Sequence, residues 1–248
     1  TSIVPGMQQV KVQMGPDIFF EMLTYRASLR SAWTLDLAKW VDLRAGVDAR
    51  VDHVKIKVNA TQPPKEGENP VPLSTMARFA IDKEVTALNA GLFSELRLRP
   101  VKGLLLLPSV RADRHAPLDR FTVDPRFAAR YRGWPDTVFK LGLGLYSKQP
   151  QVDESDEDFG TPGLLAERAL QLSAGVEQGL FELLELDVVL FYKWLDRVVT
   201  RNGGAVINPD APRYTNEGTG RIFGVEVLLK LLEGQRLSGW VAYTFQRS

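Results

Sequence analysis

From Val41 to Asp52 the chain alternates almost without a break. Val41, Leu43, Ala45, Val47, Ala49 and Val51 are apolar; Asp42, Arg44, Asp48, Arg50 and Asp52 are charged; Gly46 fills the remaining slot. Successive side chains of a β-strand point to opposite faces, so this segment reads as a strand with one apolar and one wet side. At helical period the same charges would spread round the axis. Near His53 the phase slips by one, and Val54, Ile56 and Val58 carry the apolar set onward. A one-residue slip turns the apolar face over unless a bulge absorbs it, so a bulge is expected close to His53.

The same alternation recurs. Leu88, Ala90, Leu92, Leu96 and Leu98 oppose Asn89, Gly91, Glu95, Arg97 and Arg99, with Phe93 and Ser94 as exceptions. Phe127, Ala129 and Tyr131 oppose Arg126, Arg130 and Arg132, and Phe139 to Leu145 oppose Lys140, Gly142 and Gly144. Leu170, Leu172, Ala174 and Val176 oppose Gln171, Ser173, Gly175 and Glu177. Leu184 to Trp194 oppose Glu185, Asp187 and Lys193, and Phe223 to Leu229 oppose Gly224, Glu226 and Lys230. The pattern predicts about eleven strands, many longer than the usual 5–6 residues. Glu167 to Leu190 has a helix-like composition, but sustained alternation punctuated by Gly175 and Gly179 favours strand. Two runs, Leu104 to Leu107 and Val227 to Leu232, are nearly all apolar and break the rule.

Spacer lengths alternate as well. Ala60 to Glu84, Ser147 to Arg168 and Thr200 to Gly220 are long, and Asp113 to Phe121 is intermediate. Pro100 to Gly103, Gly133 to Asp136, Gly179 to Glu182 and Glu233 to Gln235 are short. Long loops at one end and tight turns at the other mark an up-and-down meander; with a polar inside and an apolar outside they mark an outer-membrane barrel. The predicted fold is all-β: an antiparallel up-and-down transmembrane β-barrel, about 10–12 strands in this chain, as a single domain over residues 1–248. Leu43, Val47, Leu141, Leu143, Leu186, Val188, Leu190, Val225 and Val227 then face lipid. Arg44, Asp48, Arg50, Glu95, Arg97, Arg126, Arg130, Lys140, Glu177, Asp187 and Lys193 face the lumen. Trp33, Trp40, Tyr131, Trp134, Tyr192, Trp194 and Tyr243 lie near proposed strand ends, where aromatic girdles sit at headgroup level. The competing reading is a soluble β-rich binding module that buries its apolar faces in a two-sheet sandwich. It would call for Greek-key crossings and no regular alternation of loops.

Composition narrows the chemistry. With 31 Lys+Arg against 30 Asp+Glu, nucleic acid is not an expected partner. Cysteine is absent, which removes disulfides, thiolate metal sites and a cysteine nucleophile. His53 and His115 stand far apart, so a His-rich metal site or a histidine triad is not expected. The acidic run Asp153 to Asp158 lacks the ligand spacing and mid-loop glycine of an EF-hand. Asp42 and Asp48 have many basic neighbours and are expected in ion pairs rather than in acid–base machinery. The chain is read as a non-enzyme without metal or cofactor. No stretch approaches about 18 uninterrupted apolar residues, and Thr1 to Gly6 show neither the basic start nor the apolar run of a signal peptide.

The segment Arg213-Tyr214-Thr215-Asn216-Glu217-Gly218-Thr219-Gly220-Arg221-Ile222-Phe223-Gly224-Val225-Glu226 resembles the Y-x-N-x-G-x-x-x-x-x-G-x-E stretch of TonB-dependent outer-membrane transporters. There it follows a long extracellular loop and opens a barrel strand. Phe191 to Val199 is similar to the strand leading into that loop, and Leu237 to Phe245 to the strand after it. Asp124-Pro125-Arg126-Phe127 is similar to the family's s-P-R strand start, and Val110-Arg111-Ala112-Asp113 to its G-x-R-x-D strand. Thr161 to Arg168 resembles the N-P-x-L-x-P-E loop exit, from which Thr161 and Ala166 depart. The resemblance marks Tyr214, Asn216, Gly218, Gly224 and Glu226 as residues that shape the barrel. Gly218 and Gly220 are expected to permit the unusual backbone of a loop re-entering a sheet. Gly224 is expected to make room for an inward neighbour, and Glu226 to point inward.

The resemblance implies a bacterial outer-membrane location and the lipid bilayer as a partner. It further implies uptake of a scarce small-molecule nutrient such as a ferric siderophore, with TonB engaged through a plug region that no segment here matches. Transporters of this type have about 22 strands around a plug, so the chain looks like a contiguous part of such a barrel, or a smaller barrel derived from it. A passive pore, or a structural scaffold barrel, is the alternative. An Asp at Val47 or Leu143 is expected to disrupt membrane assembly more than one at Gly46 or Gly142.

Overall fold

The computed structural model describes residues 1–14, 18–61, 78–116, 120–155, 160–181, 183–202, 212–232 and 238–248. They form one eleven-stranded antiparallel sheet in which every strand neighbours the next in chain order. The strands are β1 (Ser2–Met14), β2 (Ile18–Ala38), β3 (Val41–Thr61), β4 (Arg78–Leu98), β5 (Leu104–His115) and β6 (Arg120–Trp134). They continue as β7 (Thr137–Lys148), β8 (Glu167–Leu180), β9 (Leu184–Arg201), β10 (Tyr214–Leu231) and β11 (Gly239–Arg247). One helical turn, α1 (Val152–Ser155), interrupts the β7–β8 connection. The Leu- and Glu-rich stretch from Glu167 to Leu190 is strand, as its period dictates. The strands reach further than the spacers suggested: β3 runs to Thr61, β4 begins at Arg78, and β9 runs to Arg201. Residues 62–77 and 203–211 of those connections, and Asp156 to Asp158 of the acidic run, lie outside the described residues.

Pairing carries the alternation from strand to strand. Val47 lies opposite Ser31 and Leu92, Leu143 opposite Phe127 and Leu172, and Val188 opposite Val176 and Val227. Leu43, Leu141, Leu186, Leu190 and Val225 fall on that same face. Asp48 lies opposite Arg30 and Gly91, Arg130 opposite Leu105 and Lys140, and Glu177 opposite Val138 and Asp187, all on the other face. Arg44, Arg50, Glu95, Arg97, Arg126 and Lys193 share it.

The bulge expected at His53 does not form. Register runs unbroken through Tyr25, His53 and Thr86 on three adjacent strands. The apolar set therefore changes face. Val54, Ile56 and Val58 join the face of Arg50 and Asp52, opposite Thr24, Met22 and Phe20. On the other side Lys55 and Lys57 pair with Glu84 and Asp82 at 2.7 and 3.1 Å. A bulge is needed only if one environment covers the whole strand; here the environment changes along it. The apolar band on β3, Val41 to Val51, is as long as that on β9, Leu184 to Trp194. Eleven residues rising ~3.3 Å each and tilted about 40° give a band roughly 25 Å tall, the apolar height of an outer-membrane barrel.

Trp40, Tyr131 and Trp134 stand at the short-turn margin of this band. Trp33, Tyr192, Trp194 and Tyr243 lie within their strands rather than at the ends; Tyr192 and Trp194 mark the band's other margin, because β9 continues past it.

Among the described residues no second layer covers the sheet, and the buried apolar side chains are few: Val58, Val138, Leu164, Ala166 and Phe191. Among the described residues no large side chain is fully buried. Leu92, Phe121 and Leu190 are 63%, 66% and 59% exposed, whereas Asp52 and Asp124 are 7% and 4% exposed. A water-soluble sandwich buries its apolar face; this sheet does the reverse.

Candidate functional site

The charged face is held by ion pairs that step from strand to strand. Asp52 sits between Arg26 at 2.6 Å and Arg50 at 2.9 Å. Asp48 receives Arg30 at 3.3 Å and Arg111 at 2.7 Å, and Arg111 also forks onto Asp113 at 2.7 Å. This chain of charges crosses β4 at Gly91. A Cβ there would collide with the Asp113 carboxylate and lie 2.6 Å from the Arg111 guanidinium. Gly46 has the same purpose, since its Cβ would lie 2.5 Å from the Phe93 ring. Phe93, an exception in the sequence pattern, thus occupies the charged face over a glycine. An Asp at Gly46 would clash with that ring, so this position cannot serve as a neutral control for a charge.

Further along, Arg130 meets Glu177 at 2.9 Å, and Lys140 bonds Asp187 and lies 3.9 Å from Glu177. Asp42 pairs with Arg99 at 2.8 Å and Glu95 with Arg97 at 3.0 Å. Asp124 accepts the Ser147 amide and hydroxyl and lies 3.6 Å from Arg126, whose guanidinium covers the Tyr146 ring. Lys193 stands over the Phe191 ring at 5.4 Å. Arg44 lies between Thr34 and Glu95 in register. Arg26 and Arg30 were not singled out in the sequence, although Tyr25 to Arg30 already alternates.

The two motif segments quoted separately above meet in space. Asn216 accepts the Leu165 amide on Oδ1 at 2.7 Å and donates through Nδ2 to the carbonyls of Leu165 and Arg197 at 3.0 and 2.9 Å. The Tyr214 amide donates to Thr161 Oγ1 at 2.9 Å, and Arg120 donates to the Gly163 carbonyl at 2.7 Å. Glu167 accepts the Val199 amide at 2.9 Å and pairs with Lys148. Leu164 and Ala166 are buried. Asn216 is thus a clamp between a connection and two strands.

The backbone freedom expected of Gly218 and Gly220 lies elsewhere. Left-handed φ occurs at Arg197 (56°) and Gly163 (91°). Gly218, flanked by two register shifts, instead makes room: its Cβ would lie 2.6 Å from the Val198 carbonyl. At Gly224 a Cβ would meet the Phe245 carbonyl and lie 2.8 Å from the Phe191 ring. Glu226 lies on the charged face, between Val189 and Thr244.

A strand meander with a 25 Å apolar belt, exposed aliphatics on one face and ion pairs on the other defines the wall of a transmembrane β-barrel. The chain matches the family described as TonB dependent receptor-like, beta-barrel, over residues 14–248, and belongs to it. The siderophore receptor PirA from Pseudomonas aeruginosa is similar in fold, with TM-score 0.69 and 15% identity over 98% of this chain and 44% of that one. The FrpB iron transporter from Neisseria meningitidis gives 0.63 and 16% over 92% and 37%. The outer membrane transporter YddB from Escherichia coli gives 0.64 and 13% over 92% and 34%. At such identities these likenesses show the fold alone, and the chain spans less than half the length of each. No curated protein sequence matches the chain. The family is one of receptors and transporters rather than enzymes, and its solved relatives include outer-membrane proteins.

Proposed function

We propose that these 248 residues are one barrel-wall domain of a bacterial outer-membrane transporter. It would take up a scarce nutrient of the ferric-siderophore class and couple to TonB through a plug carried on other residues. The face of Val47, Leu143 and Val188 meets lipid, and the face of Asp48, Arg130 and Glu177 lines the lumen. One observation supports this most: the sheet exposes its aliphatic side chains and sinks its carboxylates among arginines. In lipid the aliphatic face needs no cover, and the charges must look inward. The family and the siderophore and iron receptors among the similar folds favour uptake over a passive pore.

Ala128 and Ala129 offer the test, being adjacent, equal in size and on opposite faces. Ala129→Asp should impair insertion into vesicles, read by heat-modifiable gel mobility, while Ala128→Asp inserts like the parent. Equal insertion of the two variants would overturn the assignment of faces. Uptake itself is tested by growth of an iron-starved strain carrying the full gene product, with and without a ferric siderophore.

A further inference from the structure

The β4–β5 turn and the ends of β6 and β7 line a shallow, open cleft of about 560 Å³ at the short-turn margin. Its lining has two characters. Arg99, Lys102, Arg130 and Arg132 supply four cations, and no carboxylate lines it. Pro100, Val101, Leu104, Leu105 and Val138 supply an apolar wall. Leu105 comes from the run that broke the alternation. It lies opposite Arg130, so an aliphatic side chain stands on the charged face.

Charge balance distinguishes this cleft from the rest of that face. Arg99 and Arg130 are neutralised from outside it by Asp42 and Glu177. Among the described residues Lys102 and Arg132 have no carboxylate partner, which leaves two uncompensated cations. A phosphate monoester carries about −1.5 to −2 at neutral pH. The frame is also pre-formed. The Arg132 amide donates to the Gly103 carbonyl and the Arg99 amide to the Trp40 carbonyl, both at 2.8 Å. Gly103 holds the left-handed φ of 85° that the turn requires. A cleft of this size exceeds the needs of one bare phosphate and lies in the range of small-molecule sites.

We propose that this cleft binds an amphiphilic anion, a phosphate monoester with an aliphatic body. Lys102 and Arg132 hold the phosphate, and Leu105 and Val138 receive the aliphatic part. The site is independent of which nutrient the barrel carries.

Isothermal titration of the chain in nonionic detergent tests it with hexyl phosphate, inorganic phosphate, hexanol and dihexanoyl phosphatidic acid. Hexyl phosphate should bind saturably and at least about tenfold more tightly than inorganic phosphate or hexanol. Lys102→Gln should weaken it about tenfold, the loss of one charge-assisted hydrogen bond, whereas Lys39→Gln, on the neighbouring turn, should not. Leu105→Asn should remove the preference for the alkyl ester while inorganic phosphate binding persists. Tighter binding of the phosphatidic acid identifies a lipid source, and tighter binding of hexyl phosphate a soluble one; either supports the site. Equal weakening by Lys39→Gln and Lys102→Gln, or no preference for the ester over phosphate, would overturn it. Lys102 and Arg132 are exposed and unpaired, and unchanged heat-modifiable mobility verifies that each variant folds.

Discussion

At the scale of single residues, the charged face depends as much on missing side chains as on charges. Arg111 reaches both Asp48 and Asp113 only because Gly91 leaves the space. Gly91→Ala should therefore cost about 1–3 kcal/mol, the usual penalty of overpacking, measured by urea unfolding in micelles. Gly239→Ala, with no atom within 4 Å of the new carbon, should be nearly silent in the same assay. Asn216 is the other residue whose loss has a defined consequence. Asn216→Ala removes two hydrogen bonds between the 161–166 connection and β10 and a third between β10 and β9. A net bond contributes about 0.5–1.5 kcal/mol, too little to unfold the sheet but enough to free the connection. Limited proteolysis should then cut near Leu165 faster, with the folded gel band unchanged; an unchanged cleavage rate would show that Asn216 clamps nothing.

The strands themselves act as depth gauges. On β4 the residues Leu92 and Thr86 point to the same face, yet Leu92 pairs with Val47 in mid-band and Thr86 with His53 beyond it. A Lys on the lipid face costs about 2–4 kcal/mol at the midplane and ~0–1 near the interface. Leu92→Lys should accordingly destabilise vesicle-inserted protein by the larger amount and Thr86→Lys by the smaller. Equal costs would mean that the polarity switch at His53 is not the edge of the lipid band. The switch also explains why an unbroken register is compatible with a phase slip: His53, Lys55 and Lys57 continue, as polar side chains, the face on which Val51 ends the apolar band.

For the whole molecule, strand parity sets a constraint. With eleven strands in strict antiparallel order, β1 and β11 run in the same direction. They cannot close on each other antiparallel, and an antiparallel cylinder needs an odd number of further strands between them. No pairing joins β1 to β11, and β11 is exposed along its whole length. Unpaired backbone groups in lipid are costly, and in this sheet they lie along β1 and β11. In the isolated chain, amides of β1 and β11 should exchange with deuterium far faster than those of β6 and β7. Matching protection at the edges would show that they have already found partner strands.

The period-two alternation alone determined the strands, their long and short connections and the two faces from Val41 onward, because a strand writes its environment into every second residue. Composition alone excluded thiol chemistry, and the motif around Tyr214 to Glu226 pointed to the family. Only the tertiary structure decided that the slip at His53 is a change of surroundings rather than a bulge. The reason is that register is a property of three strands at once. Only the structure likewise joined Asn216 to Leu165, fifty-one positions apart, and showed that Gly218 gives space rather than backbone freedom. The cations at the β4–β5 turn became a site in the same way, since Arg99, Lys102, Arg130 and Arg132 converge only when β5 and β6 lie side by side.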